Sequence, residues 1–260
     1  MTVFTLDKSK KQLKKKINFI VEKPLCSTEK ELKQFYKLIK KNKEIKFTSN
    51  LVLRYNDLFQ NIKKKINKKK IYYIEADYLW GRKEKLFSWR SKDRNYSFIN
   101  GAAIHMIDLI NWFLEKKPLK VFCSGNKKST ISSKFKKDSF IILQLFYAKN
   151  LIVKITANAS CVNEHFHELK IYESNKTFIH NSSETVLYQR NRNMLIKKKL
   201  AGNYPDRANK SNLIKDFINS IINRKKFSIK QKYLIDLMSI CFAAQKSLIQ
   251  NKIIKIRYLK

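Results

Sequence analysis

The chain has 260 residues, of which 57 are basic and 20 acidic, so its formal net charge is +37. Hydrophobic residues make up 43% of it and aromatic residues 12%, which is enough for a packed core and excludes intrinsic disorder. Only four residues are glycine, and no G-x-G-x-x-G or P-loop motif is present. The sequence has neither a long apolar run nor a signal-peptide pattern, which predicts a cytoplasmic protein with reduced cysteines.

The high positive charge does not by itself indicate nucleic-acid binding. Nine of the 57 basic residues are arginine, the side chain that phosphate and base recognition favours. Lysine is spread along the whole chain, and its densest runs, at 14–16, 63–65 and 68–70, fall on polar faces or ends of predicted helices. This distribution argues against nucleic acid as the main partner, although such a surface would concentrate phosphate-bearing ligands.

The first 55 residues alternate between short apolar strands and helices. Strands are predicted at residues 2–6, 18–21 and 47–54. One helix is predicted at 8–17, and the capping box Ser27-Thr28-x-x-Glu31 predicts the start of a second. Apolar strands separated by helices are typical of a parallel sheet with helices packed on it.

After about residue 56, strands dominate the pattern. A helix at 57–66, a strand at 71–79, a polar loop with Trp89 and Arg90, and an apolar helix at 102–114 come first. Further strands are predicted at 120–124, 139–147, 151–159, 168–172, 177–180, 185–188 and 253–258. Two helices with apolar stripes at 213–222 and 234–248 precede the last strand. The layout predicts a short parallel piece followed by a larger, mostly antiparallel sheet with helices on one face.

Lys23 is the first candidate for chemistry, because it follows the predicted strand 18–21 and precedes Pro24. Ligands of parallel sheets bind beyond the carboxyl ends of the strands, and a residue before proline is held extended. Lys23 would therefore project from the strand tip, where its amine could donate to a substrate hydroxyl. A solvated lysine without any role would occupy the same position.

A histidine and an aspartate stand out on the predicted apolar helix 102–114. His105, Asp108 and Trp112 are spaced to share one helix face. Polar groups on such a helix are costly unless they are paired or face a polar cavity. Two interpretations follow: His105 acts as an acid or base in a cavity, or His105 and Asp108 pair with each other at a domain seam.

No metal site is predicted. Cys26, Cys123, Cys161 and Cys241 lack the spacing of metal ligands. His165 and His167 alternate in a strand-like stretch, and we expect only one of them to face any given side of that strand.

Read in order, these residues resemble the Gfo/Idh/MocA oxidoreductases, the family of glucose–fructose oxidoreductase and inositol dehydrogenase. The segment 21–25, Val-Glu-Lys-Pro-Leu, is similar to that family's E-K-P motif, and residues 50–54 are similar to the strand that follows it. The substrate-domain stretch that ends in H-x-x-D is matched by residues 74–82, by Trp89-Arg90 and by 101–112. Residues 166–172 and the two closing helices also fit.

The resemblance implies an α/β protein with two parts. Residues 1–55 would be the C-terminal piece of an NAD(P)-binding Rossmann domain, in the form of a partial parallel βαβ unit. Residues 56–260 would form an α+β substrate-binding and oligomerisation domain with a large, mostly antiparallel open sheet and helices on one face. The closing helices would pack back on the first part, and a homo-oligomer would form through the sheet.

The resemblance also implies hydride transfer between NAD or NADP and a carbon of a sugar or nucleotide sugar. Lys23 would lie beside the nicotinamide and the substrate hydroxyl, with a cis bond before Pro24. His105 would exchange the proton, supported by Asp108. The implied cofactor-binding residues are Thr5, Glu22, Lys23 and Pro24, and the implied substrate-binding residues are Arg54, Tyr78, Trp89, Arg90 and His167.

One part of the family pattern is not found in this sequence. Members of the family begin with a strand, a glycine-rich turn and a helix that hold the pyrophosphate, whereas this chain is expected to begin at about the fourth strand. We therefore expect a truncated or split enzyme that binds dinucleotide weakly and is complemented by a separate Rossmann chain. Two alternatives stay open: a non-catalytic sugar-phosphate-binding or interaction domain of the same descent, and a basic protein that binds nucleic acid or an anionic surface.

Overall fold

The structure, a computed structural model, describes residues 11–192, 194–205, 208–225 and 227–260. The predicted strand at 2–6, and Thr5 with it, lie outside these ranges. Residues 11–14 are helical, within the helix predicted at 8–17. Two sheets are present among the described residues: a parallel pair formed by β1 (Phe19–Val21) and β2 (Phe47–Ser49), and a sheet of nine strands.

The helix between β1 and β2 is α1 (Glu29–Lys41), and it begins at the predicted capping box. The Oγ1 atom of Thr28 accepts from the backbone N–H of Glu31 at 3.2 Å, and the Glu31 carboxylate accepts from the N–H of Ser27 at 2.7 Å. The buried face of α1 includes Phe35, whose ring meets the ring of Phe47 edge-on at 5.1 Å between centroids. This contact packs α1 onto the parallel pair.

The strand predicted at 47–54 is wrong in its second half. The N–H of Asn50 donates to the carbonyl of Val21 at 3.0 Å, after which the chain turns away from β1 and forms a 3-10 turn at Val52–Tyr55. Arg54 therefore lies in a buried turn and not at a strand end. The next helix, α2 (Asp57–Lys65), begins directly afterwards and ends one residue before its predicted end.

The nine strands of the large sheet are β3 (Ile71–Leu79), β4 (Lys120–Asn126), β5 (Phe140–Phe146), β6 (Ile152–Asn158), β7 (Phe166–Glu173), β8 (Lys176–His180), β9 (Thr185–Asn191), β10 (Met194–Lys199) and β11 (Ile254–Lys255). Their order is β10-β9-β8-β7-β3-β6-β5-β4-β11. Among the described strands of this sheet, only β3 and β6 pair in parallel, so the mostly antiparallel sheet is confirmed. The sequence did not predict β10, because all six of its side chains are exposed and show no alternation.

Three helices complete the described fold: α3 (Ile104–Leu114), α4 (Asn209–Ile222) and α5 (Gln231–Gln250). A short π-helical turn at Ile99–Ala103 precedes α3, where the sequence predicted the first residues of the helix itself. Helix α3 contacts β3, and α5 contacts β4, α1 and β2, so the last helix joins the large sheet to the parallel pair. None of the described helices has the length and apolar character needed to cross a bilayer.

Candidate functional site

Lys23 lies two residues beyond the end of β1, as the sequence predicted. The peptide bond between Lys23 and Pro24 is cis, as the resemblance implies. The preceding residue, Glu22, is oriented by the Nδ2 of Asn50, which donates to the Glu22 carboxylate at 2.9 Å. Asn50 directly follows β2, so the two parallel strands together position this corner.

The amine of Lys23 reaches α3. Its Nζ donates to the carbonyl of Gly101, which lies in the π-helical turn just before that helix. Burial lowers the pKa of Lys23 to about 8, an effect that the negative charge of Glu22 opposes and the positive charge of Arg90 reinforces. A substantial fraction of this amine is thus neutral slightly above physiological pH.

His105 follows Gly101 by four residues, so its imidazole and the Lys23 amine approach the same end of α3. Burial holds the pKa of His105 well below its usual value, and the charges of Lys23, His167 and His165 lower it further. The imidazole is therefore neutral at pH 7 and able to accept a proton. The charge of the Lys23 amine thus acts on the His105 imidazole.

Aromatic and imidazole rings surround His105. The ring of Tyr78 on β3 stacks on the imidazole at 5.8 Å between centroids with an interplanar angle of 7°. Tyr78 also meets His165 at 5.2 Å and His167 at 4.7 Å, and the two histidines lie 4.9 Å apart. The expectation that only one of these two histidines faces a given side was wrong, because residues two apart on a strand share a face.

Hydrogen bonds orient these two imidazoles. The Nδ1 of His165 lies 3.0 Å from the carbonyl of Leu79, which can only accept, so that nitrogen carries the proton and Nε2 can accept. The Nδ1 of His167 hydrogen-bonds the hydroxyl of Tyr204. Burial raises the pKa of Tyr204, so its hydroxyl stays protonated. Tyr204 was missed by the sequence analysis, because it lies in a loop without periodicity.

Three neighbouring imidazoles raise the question of a metal. Among the described residues, no group of three or more histidine, cysteine, aspartate or glutamate side chains has an arrangement that could hold a metal ion.

Arg54 and Asp108 form a buried ion pair. The Nε of Arg54 lies 3.0 Å from both carboxylate oxygens of Asp108, and its Nη2 donates to the same group. The hydroxyl of Tyr233 donates to Asp108 at 2.8 Å, and the Tyr233 ring lies 4.3 Å from the guanidinium. Arg54 is 8% exposed and Asp108 is 1% exposed.

This pair decides between the sequence-based interpretations of Asp108. The carboxylate bonds to Arg54 and Tyr233, and the alternative in which it pairs with His105 was wrong. Although burial alone would lower the pKa of Arg54, the nearby Asp108 and Tyr233 raise it overall, so the guanidinium is permanently charged. Trp112, predicted to share a face with His105, lies on the same helix and against Lys63, whose amine is 4.4 Å from the indole centre.

Trp89 and Arg90 begin a single helical turn, Trp89–Lys92, in the segment predicted as a polar loop. The Arg90 guanidinium lies 4.4 Å from the Trp89 ring and 5.5 Å from the Trp80 ring. Because its charge lowers the pKa of Lys23, Arg90 lies within electrostatic reach of that amine. Trp89 is 48% exposed and is therefore available to a ligand at the rim of the site.

The residues at the end of β1 fit the nicotinamide end of a dinucleotide, since Glu22 offers a carboxylate for ribose hydroxyls and Lys23 an amine beside a reacting carbon. The sequence has no glycine-rich turn that could hold the pyrophosphate end of the dinucleotide. The four glycines are separate, and a side chain on Gly101 would clash with the hydroxyl of Tyr96. Gly101 thus leaves room for the Tyr96 side chain.

The comparisons with known proteins agree with this architecture. Residues 59–179 match the family model of the GFO/IDH/MocA C-terminal domain. No curated protein matches the chain by sequence. Among solved structures, myo-inositol 2-dehydrogenase from Lactobacillus plantarum is 20% identical with a TM-score of 0.82, over 99% of this chain and 78% of that chain.

Two further structures contain ligands. Scyllo-inositol dehydrogenase from Lactobacillus casei, with bound NAD(H) and scyllo-inositol, is 18% identical with a TM-score of 0.77, over 98% of this chain and 78% of that one. Levoglucosan dehydrogenase in complex with NADH and L-sorbose is 13% identical with a TM-score of 0.83, over 98% of this chain and 77% of that chain. These likenesses show a shared fold over nearly the whole chain. Within it, residues 59–179 match the C-terminal domain of the GFO/IDH/MocA family.

Proposed function

We propose that the chain is an NAD(P)-dependent oxidoreductase that acts on a carbinol carbon of a sugar or nucleotide sugar. The observation that carries this proposal is the approach of the Lys23 amine and the His105 imidazole to one end of α3. The match of residues 59–179 to the family model and the dehydrogenases of the same fold support the reaction class. The exposed Trp89 ring at the rim of the site offers a flat apolar surface of the kind that packs against sugars.

In the direction of oxidation, His105 and Lys23 act on the substrate hydroxyl in different ways. His105 is neutral at pH 7 and accepts the hydroxyl proton. Lys23, when protonated, donates a hydrogen bond to the same oxygen and stabilises the negative charge that develops there. A nicotinamide bound beside Lys23 would accept the hydride that leaves the carbon. The proton and the hydride thus leave the same carbinol group to different acceptors.

The pH dependence of oxidation follows from these two groups. The rate should fall as pH rises through about 8, because Lys23 then loses the proton that it donates to the oxygen. The acid limb should lie well below pH 6.5, because His105 stays neutral down to that range. Single-turnover rates measured from pH 5 to 10 would test this dependence. A rate that climbs steadily from pH 7 to 10 would contradict the role of Lys23.

The 260-residue chain alone should bind NADH and NADPH weakly, with a Kd above about 1 mM, which corresponds to less than ~4 kcal/mol of binding free energy. The physical reason is that no glycine-rich turn presents backbone N–H groups to the pyrophosphate. Calorimetric titration with NADH measures this directly, and micromolar affinity would overturn the prediction.

The proposed function itself is tested by hydride transfer at millimolar NAD or NADP. Monosaccharides, inositols and UDP-glucose are suitable substrates, with formation of the reduced cofactor as the readout. Activity that disappears in the His105→Asn variant would support the proposal. If the unsubstituted chain remains inactive with every substrate but calorimetry detects a sugar phosphate whose binding the His105→Asn variant weakens, the non-catalytic alternative is favoured.

We also propose that the open face of the large sheet pairs with a second copy of the chain. Opposite α3, the side chains of Phe146, Ile152, Tyr73 and Tyr172 form one row across β5, β6, β3 and β7. Ile152 is 40% exposed on this face. The other three side chains are partly exposed, and a partly exposed apolar row of this kind is typical of an interaction surface.

Light scattering should therefore find a dimer or larger species at micromolar concentration, and Ile152→Lys should shift it towards monomer. The matched control is Ile249→Lys, which introduces the same charge at an exposed position on α5. A monomeric parent chain would contradict the proposed pairing.

A further inference from the structure

A cavity of about 620 Å³ lies between the C-terminal end of α3 and the start of α5. Neither Lys23 nor His105 lines it. Half of its twelve lining residues are basic, compared with 57 of 260 in the whole chain. These basic residues are Arg54, Lys63, Lys116, Lys117, Lys230 and Lys232. Basic residues are therefore more frequent in the cavity wall than in the chain as a whole.

The carboxylates of the cavity wall do not neutralise this charge. Asp236, which is 2% exposed, forms ion pairs with both Lys117 and Lys232. The single negative charge of Asp236 therefore neutralises only one of the two ammonium groups, and a net positive charge remains. The positive charge of Arg54 is neutralised by Asp108, which does not line the cavity.

Glu115 is shared in the same way. It pairs with Lys63 at 2.9 Å and also with Lys68. Burial lowers the pKa of Lys63 even though Glu115 opposes the shift, which means that the ammonium is poorly solvated. The Lys63 amine also lies over the Trp112 ring, so the indole holds it at the cavity wall.

Two lysines of the cavity wall have no carboxylate partner among the described residues. Within the described ranges, neither Lys116 nor Lys230 forms an ion pair. Both are exposed side chains at the mouth of the cavity. The wall also includes Asn111, 3% exposed, whose Oδ1 accepts from the hydroxyl of Tyr147 at 2.6 Å and whose side chain also interacts with Tyr233.

We propose that this cavity binds a small molecule through a phosphoryl group, which Lys116 and Lys230 contact together with the shared lysines of the wall. A phosphoryl oxygen accepts several hydrogen bonds and carries the negative charge that the wall lacks. The volume lies within the range typical of small-molecule sites. The other large cavity, of about 730 Å³ beside α5, is less basic, with five lysines or arginines among its twenty lining residues.

The test is a calorimetric titration of the full chain with inorganic pyrophosphate and with glucose 6-phosphate, at an ionic strength held constant with sodium chloride. We expect at least one of the two to bind, and the K116Q/K230Q double variant to bind it at least tenfold more weakly. The control is K127Q/K136Q, which removes the same charge from exposed lysines of the 730 Å³ cavity. It should change the affinity by less than twofold.

The two probes separate the possible sources of the phosphoryl group. Tighter binding of pyrophosphate indicates an inorganic or polyphosphate ligand, and tighter binding of glucose 6-phosphate indicates a phosphorylated metabolite. The proposal is overturned if neither probe binds at constant ionic strength or if the two double variants weaken binding equally. Thermal unfolding of both variants checks that they fold, and K116E is a second variant that should abolish binding. The proposal stands apart from hydride transfer, since His105→Asn should leave pyrophosphate affinity unchanged.

Discussion

Replacing Lys23 with Met or His105 with Asn should reduce the turnover of the active enzyme by about 10²- to 10⁴-fold, the usual contribution of a positioned acid or base. The loss should appear in kcat more than in KM, because both groups act on the charge and the proton of the reacting hydroxyl. Folding should be little affected, since Met fills the volume of the Lys23 stem without the cost of a buried amine. Steady-state kinetics together with thermal unfolding would separate the two effects.

A matched control for Lys23 is Lys30→Met, which removes an exposed lysine from the first turn of α1. This control should keep full turnover. If Lys23→Met and His105→Asn also stay within a few-fold of the parent enzyme, the roles inferred from the family would be wrong for this chain, whatever its fold.

The second large effect concerns stability. Asp108→Ala should lower the free energy of unfolding by about 3–5 kcal/mol, because it leaves the Arg54 guanidinium buried without a counterion. Tyr233 would also lose its 2.8 Å hydrogen bond to the carboxylate and keep only the 3.3 Å one to the backbone carbonyl of residue 108. Urea denaturation followed by circular dichroism measures the change. The double variant Arg54→Met with Asp108→Leu should recover most of the loss, because it removes both charges together.

Glu44→Ala, at an exposed position before β2, is the control and should change stability by less than about 0.5 kcal/mol. A loss below about 1 kcal/mol for Asp108→Ala would mean that solvent reaches the guanidinium. An Asp108→Asn protein that keeps its stability but loses turnover would instead support the catalytic supporting role that the family resemblance implies.

Local patterns predicted much of the fold. The strand 71–79 has its predicted bounds because its burial alternates, and the capping box at Thr28 determines the start of α1 by two hydrogen bonds within a few residues. Strand β10 was missed because its apolar residues, Met194 and Leu195 among them, are exposed. The end of β2 was missed because buried residues continue through the turn that holds Arg54.

The site was predictable only in part. Lys23 and His105 were found because a proline and an apolar helix mark them locally, and the resemblance linked them. The contact of Tyr204 with His167 joins a loop to a strand 37 residues earlier, and the Arg54–Asp108 pair spans 54 residues. Periodicity carries no information about such pairings, so the partner of Asp108 could be established only in three dimensions.

The placement of β3 has a consequence for how the protein is made. Its two neighbours in the sheet are β6 and β7, so its edges stay unpaired until residues as late as Glu173 have been synthesised. At ~5–20 residues per second, translation of the roughly 94 residues that follow β3 takes about 5–20 s. During that time an apolar strand, Ile71–Leu79, is exposed next to the ribosome, and the nascent chain should depend on chaperones that shield such segments.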